Sequence, residues 1–215
     1  TWSAQRPPRL TADLVSRDGR MGVQAGAGRA EPDAALPLGY ESLSLEARLD
    51  AEQLRARVEL VSSTLGNANV NATLRHAAPG RPIDGRVEVE GIELAVFEPF
   101  FPRIETLRGR LAMAGTLGGT LTAPAFNGEL TLRDGEVQGR ELPMHLEAVS
   151  LTVDVEGRQF RIDGGLSSGG GQAELTGRGA WHADGWQVNA ALTGERLQVQ
   201  YPPLAVLRVS PDLQL

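Results

Sequence analysis

The chain has no cysteine and no lysine; all 21 of its basic residues are arginine. Without cysteine there are no disulfides, no thiol nucleophiles and no thiolate metal sites. Without lysine there is no P-loop, because nothing can play the lysine that reaches a nucleotide phosphate. Aromatics make up only 5% of the residues, so any interior must be built mainly of Leu, Val and Ala. No apolar run reaches the roughly eighteen residues that a membrane-spanning helix needs. The formal charge of -6 argues against a nucleic-acid surface, which needs a clustered basic excess. Only three histidines occur, His76, His145 and His182, far apart and without a second ligand at zinc spacing. Each reads as an incidental surface or strand-end residue. There is no Gly-x-Ser-x-Gly elbow. The tract Gly169, Gly170, Gly171 is not followed by a helix start that would cradle a phosphate. No catalytic residue, metal or cofactor is expected, and no enzyme.

What the chain does have is period-two alternation of apolar and polar residues, recurring from about Leu43 onward. Leu43, Leu45, Ala47 and Leu49 alternate with Ser44, Glu46 and Arg48. Leu54, Ala56, Val58 and Leu60 follow, then Ala68, Val70, Ala72 and Leu74. Further along come Val87 and Val89, Leu111 and Met113, and Leu130 and Leu132. Val149, Leu151, Val153 and Val155 form the cleanest run, followed by Phe160, Ile162 and Leu175, and finally Trp186, Val188, Ala190 and Leu192. Successive side chains on a strand point to opposite faces, so each segment has one oily and one wet face. The larger apolar members of this set are the candidate residues of an apolar groove: Leu43, Leu45, Leu49, Leu54, Val58, Leu60, Val70, Leu74, Val87, Val89, Leu111, Met113, Leu130, Leu132, Val149, Leu151, Val153, Val155, Phe160, Ile162, Leu175, Val188 and Leu192.

Asp-Gly dipeptides at 18–19, 84–85, 134–135, 163–164 and 184–185 suit tight hairpins, and the triple glycine reads as another hairpin or a bulge. Short strands spaced by such turns predict a long antiparallel meander rather than a parallel α/β sheet. Residues 45–60, rich in Ala, Leu, Glu and Arg, also admit a helix, but alternation with a turn near Asp50, Ala51 and Glu52 fits better. The best helical candidate is a turn or two over 93–101, limited by Pro99 and Pro102. The first forty residues are less regular, with strands expected at 10–16 and 21–25 and a loop at 26–37. The chain thus divides into 1–40, a first strand group at 41–101 and a second at 102–215, all within one all-β segment. It lacks an initiating Met and a signal peptide, and its alternation runs to the last residues, so it reads as a piece of a longer chain. Alternation alone leaves two architectures open: a trough with an exposed apolar face, or a closed β-sandwich serving as a binding module of a secreted or surface protein.

Residues 107–181 carry a more specific phrasing: Gly109 and Leu111, then Gly115-Thr116-Leu117, Pro124, Gly128, Leu130 and Leu132, and Asp134-Gly135. This resembles the repeated strand unit of the TamB family, within the AsmA-like, bridge-like lipid-transfer proteins. The segment Val209-Ser210-Pro211-Asp212-Leu213 is similar to a phrase near the C-terminal region of such proteins. The turn through Phe97, Pro99 and Pro102 is similar to the short helix that interrupts the family's sheets. The resemblance is good from about Val87 onward. It implies a long antiparallel sheet curled into a U-shaped trough with an apolar inner face, part of a protein anchored in the inner membrane by regions outside this segment and spanning the periplasm. The implied partners are an outer-membrane barrel protein of TamA type, and phospholipid or nascent outer-membrane protein strands. Physics suits the role: a sixteen-carbon chain in water costs on the order of 12 kcal/mol, which an apolar trough removes. Roughly fourteen strands would extend such a trough by about 65 Å.

Overall fold

The computed structural model describes residues 9–24, 35–63, 65–139, 142–182, 185–201 and 205–214. A chain that alternates oily and wet residues can satisfy its backbone only by pairing strands with one face toward water, and the described residues form such a sheet. Its strands are β1 (Leu10–Gln24), β2 (Ala35–Leu49), β3 (Leu54–Ser62), β4 (Gly66–Leu74), β5 (Ile83–Glu93), β6 (Thr106–Thr120), β7 (Ala123–Gln138), β8 (Leu146–Gly157), β9 (Gln159–Ser168), β10 (Gly171–His182), β11 (Gly185–Glu195), β12 (Leu197–Tyr201), β13 (Ala205–Val209) and β14 (Asp212–Gln214). β1 to β11 pair in sequence order, each antiparallel to the next, and β14 pairs with β11 to complete a 12-stranded sheet. β12 and β13 form a separate two-stranded hairpin. The sheet is open, since β1 and β14 lie at its two ends. At about 4.8 Å per strand, twelve strands extend it by about 53 Å.

The segment at 45–60 is the β2–β3 hairpin, not a helix, and its turn lies where expected. Asp50 Oδ1 accepts the backbone N–H groups of Glu52 (2.8 Å) and Gln53 (2.9 Å), while the Asp50 N–H donates to the Gln53 carbonyl at 3.0 Å. The short helical turn is also found, as a 3-10 helix over Leu94–Phe100 with Pro99 inside it. Such helices stay short because their hydrogen-bond geometry is poor. Glu98 Oε1 accepts the Leu107 N–H at 3.0 Å, tying the helix to the start of β6. The same helix reaches β2, three strands away from β5 in the sheet.

The Asp-Gly expectation is corrected. Four of the dipeptides lie inside strands β1, β5, β7 and β9 rather than in hairpins; of the fifth, residue 184 lies outside the described residues. Their glycines serve close approach instead. A Cβ at Gly85 would meet the Asn71 carbonyl at 2.6 Å, and one at Gly135 would meet Val149 Cβ at 2.7 Å. The triple glycine does make the β9–β10 hairpin, with Gly169 and Gly170 at φ of 56° and 83° in the left-handed region that glycine favours. The two strands expected at 10–16 and 21–25 are one strand ending at Gln24, and Ala35 to Pro37 of the expected loop belong to β2, paired with Gly22 to Gln24. The rest of that loop lies outside the described residues. Several strands are also longer than foreseen, at 15 residues in β1, β2 and β6 and 16 in β7.

The reason alternation looks broken in places is a line of β-bulges. Register shifts place one extra residue between Val89 and Ile92 on β5, one around Asp134 on β7, seen against both β6 and β8, and one around Ala148 on β8, seen against both β7 and β9. Asp134 and Ala148 there take φ of 53° and 48°. All three lie within three residues of one row of paired residues, Ile92, Leu111, Leu132 and Leu151. A bulge bends its strand and increases local twist, so the three on β5, β7 and β8 crease the sheet there. Each extra residue also reverses the alternation, which keeps Ile92, Val137 and Leu146 on the same face as Val89, Leu132 and Val149.

Candidate functional site: an uncovered apolar face

In an antiparallel pair, directly opposed residues share a face, so the register decides whether the candidate groove residues come together. One row runs Leu45, Val58, Val70, Val87, Gly115, Gly128, Val155, Phe160, Gly179 and Val188 across ten strands. The next runs Leu43, Leu60, Ala68, Val89, Met113, Leu130, Val153 and Ile162. A third joins Leu111, Leu132, Leu151, Gly164, Leu175, Leu192 and Leu213. Leu49, Leu54 and Leu74 form a fourth, and Val149 sits opposite Gly135 at the crease. All 23 candidate residues therefore lie on one face. Sequence reading missed Leu14, Ile83, Ile92, Leu107, Leu117, Phe126, Val137 and Trp181 of the same face. Those beside bulges fell out of the alternation; Leu117 and Phe126 were masked by neighbouring glycine and alanine.

The opposite face is wet and ion-paired. Arg57 meets Glu59 at 2.5 Å, Arg86 meets Glu88 at 3.5 Å and Arg110 meets Asp134 at 2.8 Å. At the crease Glu136 accepts from Arg108 at 3.2 Å and lies 3.0 Å from His145 Nε2, whose other nitrogen is 3.5 Å from Glu147. The His145 hydrogen bond, with help from Arg108, holds the Glu136 carboxyl below the usual range despite some desolvation. His76 uses Nε2 on the Asp50 carbonyl at 2.9 Å, a link between two turns. The side chain of His182 lies outside the described residues. Among the described residues no group of three or more His, Asp or Glu is placed to hold a metal.

Among the described residues little covers the apolar face. The only buried apolar residues among those described are Val87, Leu107, Ala173 and Leu197. Leu10, Leu14 and Leu213 on this face are more than half exposed, and the 23 candidates are mostly half-buried by their own neighbours. The chain exposes 15104 Å², against roughly 9600 Å² for a compact monomer of its mass. No second sheet of comparable size packs on it among the described residues, so the closed sandwich is not the architecture found. The partial cover is the β12–β13 hairpin, which crosses the face where β9 turns into β10. Ser168 Oγ donates to the Gln198 carbonyl at 3.0 Å, and a Cβ at Gly171 would meet the Arg196 carbonyl oxygen at 2.2 Å.

At the other strand ends, Phe160, Trp181 and Trp186 cluster with ring centroids 5.8–6.3 Å apart. Phe160 lies across Gly179 and Phe126 across Gly115, where a Cβ would come within 2.4 Å of the ring in each case. Glycine here is a slot for a ring. No described helix is long and apolar enough to cross a membrane.

Comparison with known proteins adds an independent line. Residues 1–132 match the family model of the TamB N-terminal domain. The match lies mainly in the half where the resemblance had been thin, and overlaps the 107–181 phrasing only over 107–132. A curated relative, the translocation and assembly module subunit TamB of Haemophilus influenzae, is 20% identical over 174 residues. That alignment covers 80% of this chain but 13% of the relative. No solved structure matches.

Proposed function

This chain belongs to the TamB family, and from that premise we propose that it is a trough-like stretch of a longer envelope protein whose apolar face shields acyl chains or apolar β-strands in transit between membranes. The parent chain is inner-membrane anchored through regions outside this segment, spans the periplasm, and works with an outer-membrane barrel of TamA type in outer-membrane assembly. The segment performs no chemistry; it lowers the cost of exposing apolar material to water. One observation carries this reading: among the described residues the apolar rows continue across the strands with only the β12–β13 hairpin over them. A soluble domain seldom leaves so large an apolar surface bare unless something binds it.

The experiment is site-specific photo-crosslinking in cells, with the probe placed in turn at Val153 and at its neighbour Thr152. These residues point to opposite faces of the same strand. Lipid or outer-membrane protein adducts at 153 and none at 152 are expected. Equal crosslinking at both would sink the proposal.

A second use of the fold rests on β1, whose outer edge has no partner strand among the described residues and carries exposed Leu10, Leu14 and Val15. An unpaired edge accepts an extended segment through backbone hydrogen bonds that tolerate many sequences. This suits client β-strands better than lipid, and a protein-only crosslinking pattern centred on β1 would favour it.

A further inference from the structure

A meander turns alternately at the two rims of its sheet, and here the two rims differ. One rim holds the connections β3–β4, β5–β6, β7–β8, β9–β10 and β11–β14. These include the 3-10 helix, which passes the ends of β4 and β3 to reach β2, and the β12–β13 hairpin, whose Gln200 N–H donates to the Pro143 carbonyl at 2.6 Å. Apart from glycines, the buried residues among those described are Ser62, Leu107, Ser168, Ala173 and Leu197, all near this rim, and Val87 in mid-strand. The opposite rim holds short turns that bond along it. The Ala77 N–H donates to the Glu52 carbonyl at 3.2 Å, that of Leu121 to Arg81 at 3.1 Å and that of Trp181 to Arg158 at 3.0 Å. Two of the chain's three tryptophans, Trp181 and Trp186, stand directly opposite each other at this open rim, on the apolar face. Trp186 is 73% exposed, and neither indole N–H bonds to another described residue. The hairpin and the two tryptophans lie at opposite ends of the same strand, β10.

We propose that Trp181 and Trp186 bind the ester-bearing end of an acyl lipid, so that its polar head leaves the apolar face over the open rim. The inference rests on the reading that this face carries acyl chains. An indole is apolar across its rings and donates a hydrogen bond at its N–H, which suits it to a boundary between hydrocarbon and water. The ester linkage of a lipid is such a boundary: its carbonyl oxygens accept hydrogen bonds, and its chains begin on the next carbon. Phe160, stacked on Trp181 and in contact with Trp186, continues the apolar surface inward from the pair. Over the other rim the hairpin stands in the way of a polar head. Charges at the adjoining turn are mixed, with Glu156 two residues before Arg158, so the site selects for the ester and not for the charge of the headgroup.

Tryptophan emission tests this. Trp2→Phe leaves Trp181 and Trp186 as the only tryptophans. The chain is then loaded with phosphatidylcholine brominated either at acyl carbons six and seven, near the ester, or at carbons eleven and twelve. Bromine quenches an indole only on close approach, so at equal lipid occupancy, set by native mass spectrometry, the near-ester bromines are expected to quench more strongly. Equal quenching, or stronger quenching by the distal pair, would overturn the proposal. Trp186→Leu changes an exposed side chain, and in it the lipid concentration for half-maximal quenching of Trp181 should rise about tenfold. Leu121→Asn, at an exposed residue elsewhere on the same rim, should leave that concentration unchanged. No rise in Trp186→Leu, or an equal rise in Leu121→Asn, would also overturn it. A chain that binds neither lipid overturns the acyl-chain reading of the apolar face itself, whereas lipid bound without the quenching gradient overturns only the placement of the ester end.

Discussion

Val153 lies in the middle of β8, between Leu130 on one side and Ile162 on the other, so Val153→Arg places a charge at the centre of the apolar face. A ligand chain lying across the strands passes about 4.8 Å of trough per strand. That length holds roughly four methylenes, whose contact with Val153 and its neighbours is worth about 3 kcal/mol. An arginine there keeps its head in water and lifts the chain from the surface, so roughly a hundredfold loss of affinity is expected. The assay is displacement of a fluorescent fatty acid from the purified chain, alongside native mass spectrometry of lipid carried through purification. Thr152→Arg, on the opposite face of the same strand, is the control and should bind as the unsubstituted chain does. Circular dichroism establishes that both variants keep the sheet. If Val153→Arg is folded and binds within threefold of the unsubstituted chain, the apolar face is not the binding surface and the reasoning fails.

Other perturbations probe what holds the sheet in shape. Gly179→Ala would push a methyl to within 2.4 Å of Phe160 and 2.5 Å of the Gln187 carbonyl; a loss of about 1–3 kcal/mol and a shift in tryptophan emission from the Phe160–Trp181–Trp186 cluster are expected. Leu197→Ala empties the best-covered apolar site, 3% exposed, at a cost of about 2–4 kcal/mol, and hydrogen exchange should show the β12–β13 hairpin loosening before the main sheet. Acid should also weaken the fold. The carboxyl of Asp50 is held low by the backbone N–H groups of Glu52 and Gln53, and that of Glu136 by His145. A carboxyl lowered in the folded state contributes stability above its unfolded value, and this is lost as pH falls through the folded one. Tm should therefore drop as pH falls below the ordinary carboxylate range, and less steeply in Asp50→Asn with Glu136→Gln; an equal drop in that double variant would contradict the assignment.

The all-β class was legible because alternation is a local property: each of Val149, Leu151, Val153 and Val155 declares its face by its place in the strand. The turn at Asp50 and the 3-10 helix around Pro99 were legible for the same reason, since a carboxylate capping its own turn and a proline breaking regular pairing both act within a few residues. The Asp-Gly dipeptides misled because a local signal for a tight turn is also what a bulge or a close strand crossing needs. Which of these a dipeptide serves depends on the neighbouring strand, as at Gly135 against Val149.

What no reading of alternation alone decides is whether an apolar face is covered. A sandwich and an open trough present the same pattern of Leu, Val and Ala along each strand; they differ only in whether a second layer arrives from elsewhere in the chain. The tertiary structure decides this by pairing β1 to β11 in one continuous ladder, so among the described residues no comparable sheet remains to close the core. It also decides that residues as distant as Leu45 and Val188 share one surface, and it keeps the face continuous past three bulges that interrupt the pattern. Sequence determined which side of each strand is oily, because that is set residue by residue. Tertiary structure determined that the oily sides join and, among the described residues, lie largely uncovered, because register and layering are agreements between segments far apart in the chain.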